Sequence, residues 1–356
     1  MLNISNYKHI IHLEWTFFKL IGGVILNKRK SLLYSSGNIA SGLGPAAFST
    51  FVMFFYVDYL KMDSVLFGVG MMIYGIWNAI NDPLLGQISD RTKTKWGRRI
   101  PYILFGSLPY AIAFILVWLP RPTWFKANPS MLFVYFMIAI FLYDGFYTLV
   151  ILNWTALFPE MYKAQDERTR VSAYRQIFGI IGSILGAALT SILYKLYGWT
   201  AMAVIFGVIS LVFLYISLLG SKEDPSYVEK GSLPFFKAIA ETFKNKAFLS
   251  FVFMNTCLQF TFVLIEAVLP FYAKYVLKVD EFKTSALLAT VFIVAMILVI
   301  PWAKIANKRG SKKTAIISML MFGASLFPFW FVNSFTSGLI TTAVVGIGLA
   351  GSYSPA

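Results

Sequence analysis

Beyond residue 32 the chain alternates between apolar blocks of roughly twenty residues and short polar segments, many of them basic. A block of about 20 residues, rising 1.5 Å each, crosses a bilayer as an α-helix. Lipid offers the backbone no hydrogen-bond partners, so such blocks must bond internally as helices. The pattern predicts ten spanning helices, at about 33–57, 64–89, 101–120, 131–158, 173–195, 199–220, 247–276, 284–305, 314–332 and 336–356. The fold class expected is therefore all-α and membrane-embedded.

Residues 1–32 break this rhythm, because His9, Glu14, Lys19 and the run Lys28-Arg29-Lys30 interrupt the apolar positions. That excludes a cleavable signal peptide and leaves a cytoplasmic tail or an interfacial amphipathic helix. The longest internal polar stretch, 221–246, separates six helices from four and contains an amphipathic run, Phe235–Phe248. A bundle over 33–220, a linking loop over 221–246 and a partial second bundle over 247–356 is the plan of a two-fold repeated transporter. A weak internal repeat supports it. Gly86, Asp90 and Arg91 in the 2–3 loop correspond to Ala303, Asn307 and Lys308 in the 8–9 loop. On that plan the second half lacks two helices, and the chain reads as a fragment of a longer protein.

Composition sharpens the picture. Apolar residues make up 58% of the 356 positions and charged residues only 13%, about half the charged share of a soluble domain. The net charge of +15 does not imply nucleic acid, since the basic residues cluster in alternate loops, 91–99 and 304–313 above all. By the positive-inside rule those loops and the amino terminus face the cytoplasm. Cys257 lies within an apolar block and is expected to pack as a small apolar residue. His9 and His12 lie outside the spans, and nucleotide-binding and nucleophile-elbow patterns are missing, so no catalytic residue, cofactor or resident metal is expected. Arg98 and Arg99 have no glycine-rich phosphate cradle beside them. Energy for work would then come from an ion or solute gradient.

The segment Asn81-Asp82-Pro83-Leu84-Leu85-Gly86-Gln87-Ile88-Ser89-Asp90-Arg91-Thr92-Lys93-Thr94-Lys95-Trp96-Gly97-Arg98-Arg99-Ile100-Pro101 carries a specific resemblance. It is similar to the helix 2–3 signature of the glycoside-pentoside-hexuronide:cation symporters, the melibiose permease-like family of the major facilitator superfamily. Tyr147-Thr148 and Tyr174-Arg175 extend the resemblance through helix five; beyond residue 220 it rests on helix spacing. It implies the twelve-helix major facilitator fold, alternating access, and uptake of a sugar or glycoside driven by sodium or protons, by a monomer in the plasma membrane.

An ionisable residue inside a membrane costs about 3 kcal/mol on insertion scales, so each needs a reason. Asp82 lies some two turns inside helix two, with Asn78 on its face and Pro83 freeing the carbonyl of Ala79. A carboxylate, an amide oxygen and a free carbonyl suit a hard monovalent cation; a buried Asp can equally carry a proton, or bond a neighbouring helix. The resemblance favours coupling, with Thr148 at the family's helix-four position. It also shows departures. The family's second aspartate falls at Asn78, its helix-four aspartate at Ile151 and its helix-one acid near Gly42. Such a site holds sodium less tightly, and proton coupling or uniport becomes an alternative.

Asp144 precedes Thr148 by one helical turn and is expected to face a central cavity. With Tyr147, Asn153 and Trp154 it supplies the carboxylate, amide and aromatic groups that hold sugars, unless it serves instead as a partner of Arg175. Arg175 matches a family arginine and either pairs with Asp144 or donates to substrate hydroxyls. Glu266 in helix seven is a further buried acid and a candidate substrate contact. Gly86, Asp90, Arg91, Gly97, Arg98 and Arg99 are expected to form a cytoplasmic gate. The function expected is a cation-coupled sugar symporter. The alternatives are a same-fold carrier of a lipid or organic anion, a uniporter, a non-transporting receptor and, least favoured, a membrane-embedded enzyme.

Overall fold

The computed structural model describes residues 28–92, 94–125, 128–223, 244 and 246–352. The amino-terminal tail before Lys28 and most of the loop at 221–246 lie outside them. The described residues form ten helices and no strand. Helix α1 lies within Lys28–Tyr59 and closes in a π turn, Phe54–Tyr59. Then follow α2 (Ser64–Arg91), α3 (Ile100–Val117) and α4 (Pro129–Met161). Helix α5 runs Gln165–Ile184, through a π turn at Leu185–Leu189, to Thr190–Tyr197, and α6 is Trp199–Gly220. Helix α7 is Lys246–Phe271 with a π turn at Tyr272–Val276, and α8 is Glu281–Arg309. Helix α9 (Ser311–Ala324) ends before a 3-10 turn at Phe327–Trp330, and α10 is Phe335–Ser352. Nine spans among the described residues are long and apolar enough to cross a membrane, and α10 is shorter.

Several boundaries differ from the sequence pattern, α9 for example ending at Ala324 rather than near 332, and two of the differences share one reason. Helix α5 starts at Gln165 rather than near 173, and α8 continues to Arg309 through residues expected in a loop. A membrane span ends where apolar sequence ends, but the helix continues until something stops it. The run at 165–172 holds no glycine or proline. Helix α8 stops at Gly310, whose φ of +84° suits glycine. Cys257 is exposed on α7, not packed as expected.

Helix α1 packs on α5 and α6, α3 on α4 and α6, and α2 on α4; α8 and α9 both pack on α10. Contact between these two groups runs through α1 against α7 and α5 against α8. The α1–α5 approach depends on missing side chains. A Cβ on Gly182 would strike the carbonyl of Ile39, one on Gly186 the carbonyl of Leu43, and one on Gly42 would lie 2.5 Å from the carbonyl of Gly179. Small residues let helices approach where lipid supplies no hydrophobic drive between them.

The ends of α1 and α7 show a second trace of the repeat. Leu60-Lys61-Met62-Asp63 and Leu277-Lys278-Val279-Asp280 leave their π turns in the same way. Lys61 and Lys278 both have positive φ, 63° and 51°, a conformation uncommon for residues other than glycine. Leu60 N–H donates to Phe55 O at 2.9 Å, and Leu277 N–H to Tyr272 O at 3.0 Å. Asp63 then caps α2 by accepting from Leu66 N–H (2.9 Å), as Asp280 caps α8 from Lys283 N–H (2.8 Å). The shift between these segments is 217 residues, and equivalent residues meet across the α1–α7 seam. Ser49 bonds Glu266 and Tyr275 bonds Asp58, each pair 217 apart. Phe54 packs edge-on against Phe271 at 5.3 Å. Helices α1 and α7 thus cross about a local two-fold axis.

Replacing Gly182 with Val should lower stability by about 1–3 kcal/mol through overpacking. Gly75, where a Cβ would meet nothing within 4 Å, should accept Val with little change. Thermal unfolding of both variants in detergent, followed by size-exclusion chromatography, measures the contrast.

Candidate functional site

A cavity of about 390 Å3 lies between α1, α2, α4 and α7, with Pro45, Ser49, Tyr74, Asn78, Asp144 and Tyr147 among its walls. Its polar centre is Asp144, which is buried. The carboxylate accepts from Tyr74 Oη at 3.2 Å, Asn78 Nδ2 at 3.0 Å and Asn81 Nδ2 at 3.0 Å. Positions 74, 78 and 81 follow the i, i+4, i+7 rule, so one face of α2 supplies all three donors. Every partner is neutral. The alternative pairing of Asp144 with Arg175 is therefore not what the structure holds.

Asp82 lies beside this group on α2 and accepts from Thr148 Oγ1 at 3.0 Å. Thr148 stands one turn along α4 from Asp144, so α2 and α4 face each other through a polar strip with two acids. Asn78 was expected to serve Asp82 and instead bonds Asp144.

The remaining sugar-type residues separate into two places. Tyr147 stays at the cavity and donates from Oη to Ser41 O at 3.3 Å. Ten residues further along α4 from Asp144, roughly 15 Å at the helical rise, Trp154 is fully buried and stacks on Tyr34 at 4.9 Å. The guanidinium of Arg175 lies 4.7 Å from the Trp154 ring and 4.9 Å from Phe158. Aromatic faces hold this charge, and Arg175 Nε and Trp154 Nε1 have no hydrogen-bond partner among the described residues. Asn153 is buried and donates back to Leu149 O at 2.7 Å. Glu266 joins neither group; its Oε2 lies in hydrogen-bond contact with Ser49 Oγ at 2.7 Å across the α1–α7 seam.

At the basic-loop end, Asp90 pairs with Arg99 at 3.4 Å. Two residues that the sequence pattern did not single out organise this end. Glu160, at the end of α4, is buried and lies 3.1 Å from Arg98 and 3.0 Å from Arg99. Glu223, just after α6, accepts from the backbone N–H of Arg98 (2.8 Å), Arg99 (3.0 Å) and Ile100 (3.5 Å). Its carboxylate thus covers the amino-terminal end of α3, where a negative charge is favoured. Gly97 is required there, with φ of +104° and no room for a Cβ beside the Glu223 carboxylate. Gly86 is not constrained by space, since a Cβ would meet only Leu152 at 3.5 Å. Arg91 is exposed.

The opposite end is held differently. Asp58 on α1 bonds Lys274 and Tyr275 on α7, and Lys195 on α5 pairs with Glu281 on α8 at 3.4 Å. Among the described residues, the ion pairs joining α1–α6 to α7–α10 lie at this end.

Helix order and packing are those of the major facilitator fold, embedded in the membrane. Residues 33–355 match the family model described as MFS/sugar transport protein, and the chain belongs to that family. Its resemblance to the glycoside–cation symporters is borne out among curated relatives. The chain is 26% identical over 299 residues to the isoprimeverose transporter of Lactiplantibacillus pentosus, covering 81% of this chain and 61% of that protein. It is 36% identical over 164 residues to an uncharacterized symporter of Synechocystis sp., covering 44% of this chain and 29% of that protein. The chain thus spans less than two thirds of both. A crystal structure of the nucleoside transporter NupG superposes with a TM-score of 0.64 at 17% identity, covering 92% of this chain and 80% of that one.

Removing Glu160 takes away the buried carboxylate that Arg98 and Arg99 share, leaving Arg98 with Glu223 and Arg99 with Asp90. Glu160→Ala should cost about 3–5 kcal/mol, the usual penalty for breaking a buried pair from one side. Asp90→Ala, which removes a partly exposed carboxylate, should cost under about 1 kcal/mol. Midpoints of thermal unfolding in lipid nanodiscs compare the two.

Proposed function

We propose that the protein is a cation-coupled symporter of sugars or glycosides that works by alternating access, with its amino terminus and basic loops in the cytoplasm. The observation that carries this reading is the cavity, where Asp144 is held by three neutral donors and faces aromatic walls. An acid with no positive partner can exchange neutral donors for sugar hydroxyls or for a coupling ion at low cost. Tyr147 offers a ring face beside it. Membership of the sugar-transport family and the isoprimeverose transporter among the relatives favour this solute class.

The coupling ion, sodium or a proton, is assigned to the polar strip of Asp82 and Thr148, with Asn78 bridging to Asp144. Asp90, Arg98, Arg99, Glu160 and Glu223 serve as the cytoplasmic gate, with Gly97 allowing the loop to close on Glu223. The paired charges of Asp58–Lys274 and Lys195–Glu281 keep the outer mouth shut in this conformation. Arg175, Trp154 and Asn153 serve the solute path nearer the cytoplasm, where Arg175 Nε and Trp154 Nε1, buried and without a partner among the described residues, would meet solute hydroxyls once the packing there opens. The unit is a monomer in the plasma membrane and carries out no covalent chemistry. A second reading, carriage of an amphipathic lipid, draws on the apolar part of the same cavity wall, which includes Phe48, Val52, Met71 and Val263.

Transport measured in proteoliposomes with a sugar panel, under sodium and proton gradients imposed separately, tests these roles. Asp82→Asn should abolish uphill accumulation and leave counterflow within a few-fold. Asp144→Asn should weaken counterflow as well, because the group that holds the solute is changed. Accumulation should respond to pH at least as strongly as to sodium. If Asp82→Asn still accumulates solute against its gradient, the assignment of coupling to Asp82 fails.

A further inference from the structure

Glu266 and Ser49 occupy equivalent positions of the two repeats and meet on the axis where α1 and α7 cross. The carboxyl is buried, and the geometry of its single hydroxyl partner raises the question of where the hydrogens lie. Ser49 Oγ stands 2.7 Å from Glu266 Oε2 and 3.3 Å from Ala46 O, in reach of two acceptors with one hydrogen. When Ser49 donates to Ala46 O, its oxygen faces a carboxyl oxygen at 2.7 Å, and only a hydrogen on Glu266 makes that contact attractive. When it donates to Glu266 instead, one hydroxyl is the protein group among the described residues that bonds a buried anion, short of what burial of a carboxylate demands.

Among the described residues no basic group pairs with that anion. The charged groups that face the seam from the helices packed there are Asp58 on α1, Lys195 on α5, Lys274 on α7, and Glu281 and Lys283 on α8. Asp58 is paired with Lys274, and Lys195 with Glu281, at the outer mouth. Lys283 lies over the Phe335 ring. Across the cavity, Asp144 and Asp82 are acids themselves. A divalent cation does not fit either, because Ca2+ and Mg2+ take on the order of six oxygens and the described residues of the seam supply one carboxyl, one hydroxyl and the Ala46 carbonyl.

We propose that Glu266 is a proton-binding site built into the α1–α7 seam, occupied and sealed when the two helices meet and open to exchange when they part. The proton arrives from water as the seam opens, forms the O–H bond on Glu266, and returns to water at the next opening. In the closed seam the acid donates to Ser49 Oγ, and Ser49 donates to Ala46 O. The site concerns Glu266 alone and does not need the solute to be a sugar; only its value for coupling rests on the transport reading.

Infrared difference spectroscopy tests this on the purified full chain in lipid nanodiscs at neutral pH, with no solute present. The C=O band of a protonated, singly hydrogen-bonded carboxylic acid should be present in the wild type and lost in Glu266→Gln. It should remain in Asp82→Asn. In Ser49→Ala the band should move to higher frequency as the hydroxyl partner disappears. Glu266→Asp, which keeps the acid, should retain a shifted band and guards against a folding defect in the amide variant. An unchanged band in Glu266→Gln, or the absence of any such band in the wild type, would overturn the proposal. Because the readout needs no transport, it can fail while symport stands, and symport can fail while it stands.

Discussion

A charge in hydrocarbon must be answered, by another charge, by dipoles or by a proton, and the placement of polar groups in this protein follows from that demand. At the basic-loop end the answer is charge against charge, with Glu160 beneath Arg98 and Arg99 and Glu223 on the amides of α3. At the opposite end it is again charge against charge, now between bundles, through Asp58 and Lys274. Between these ends no acid has a basic partner among the described residues. Asp144 is held by a phenol and two amides, Asp82 by a hydroxyl and Glu266 by another. Paired charges hold a geometry; acids with neutral partners are poised to change theirs. The division between the paired ends and the proposed site runs along that line.

The helices were legible because each apolar block must satisfy its own backbone in lipid. What apolarity cannot mark is where a helix ends in water, and so α5 and α8 outrun their spans. Asp144 was legible as a lone acid in an apolar helix. Its partners were only half legible: Asn78 lies on the correct face of α2, but whether it turns to its own Asp82 or across to α4 is decided by helix packing. Arg175 misled for a related reason. Charge complementarity pointed to Asp144, whereas the tertiary fold puts three aromatic rings around the guanidinium instead. Glu160 and Glu223 carried no signal of their own, since an acid at a helix end or in a linker is ordinarily solvated. The fixed distance from Leu60-Lys61-Met62-Asp63 to Leu277-Lys278-Val279-Asp280 was present in the sequence and could have exposed the seam in advance.

The glycine contact of α1 with α5 and the two-fold crossing of α1 with α7 place opposite demands on one helix. Against α5, backbone comes against backbone at Gly42, Gly182 and Gly186, which leaves little room to rearrange. Against α7 the contacts are rings, hydroxyls and ion pairs, which can separate and reform. Helix α1 is therefore fixed on one face and more freely packed on the other, as the proposed alternating access would require.

The local two-fold axis also bears on descent. In an assembly of two identical chains, a residue on the axis meets its own copy, so an acid there would face an identical acid. Joining both copies into one polypeptide removes that restriction and lets the two positions mutate independently. Ser49 opposite Glu266 is the kind of pair that only a fused duplicate can hold: a donor on one side and an acceptor on the other, at a point where symmetry alone would have forced them to be the same.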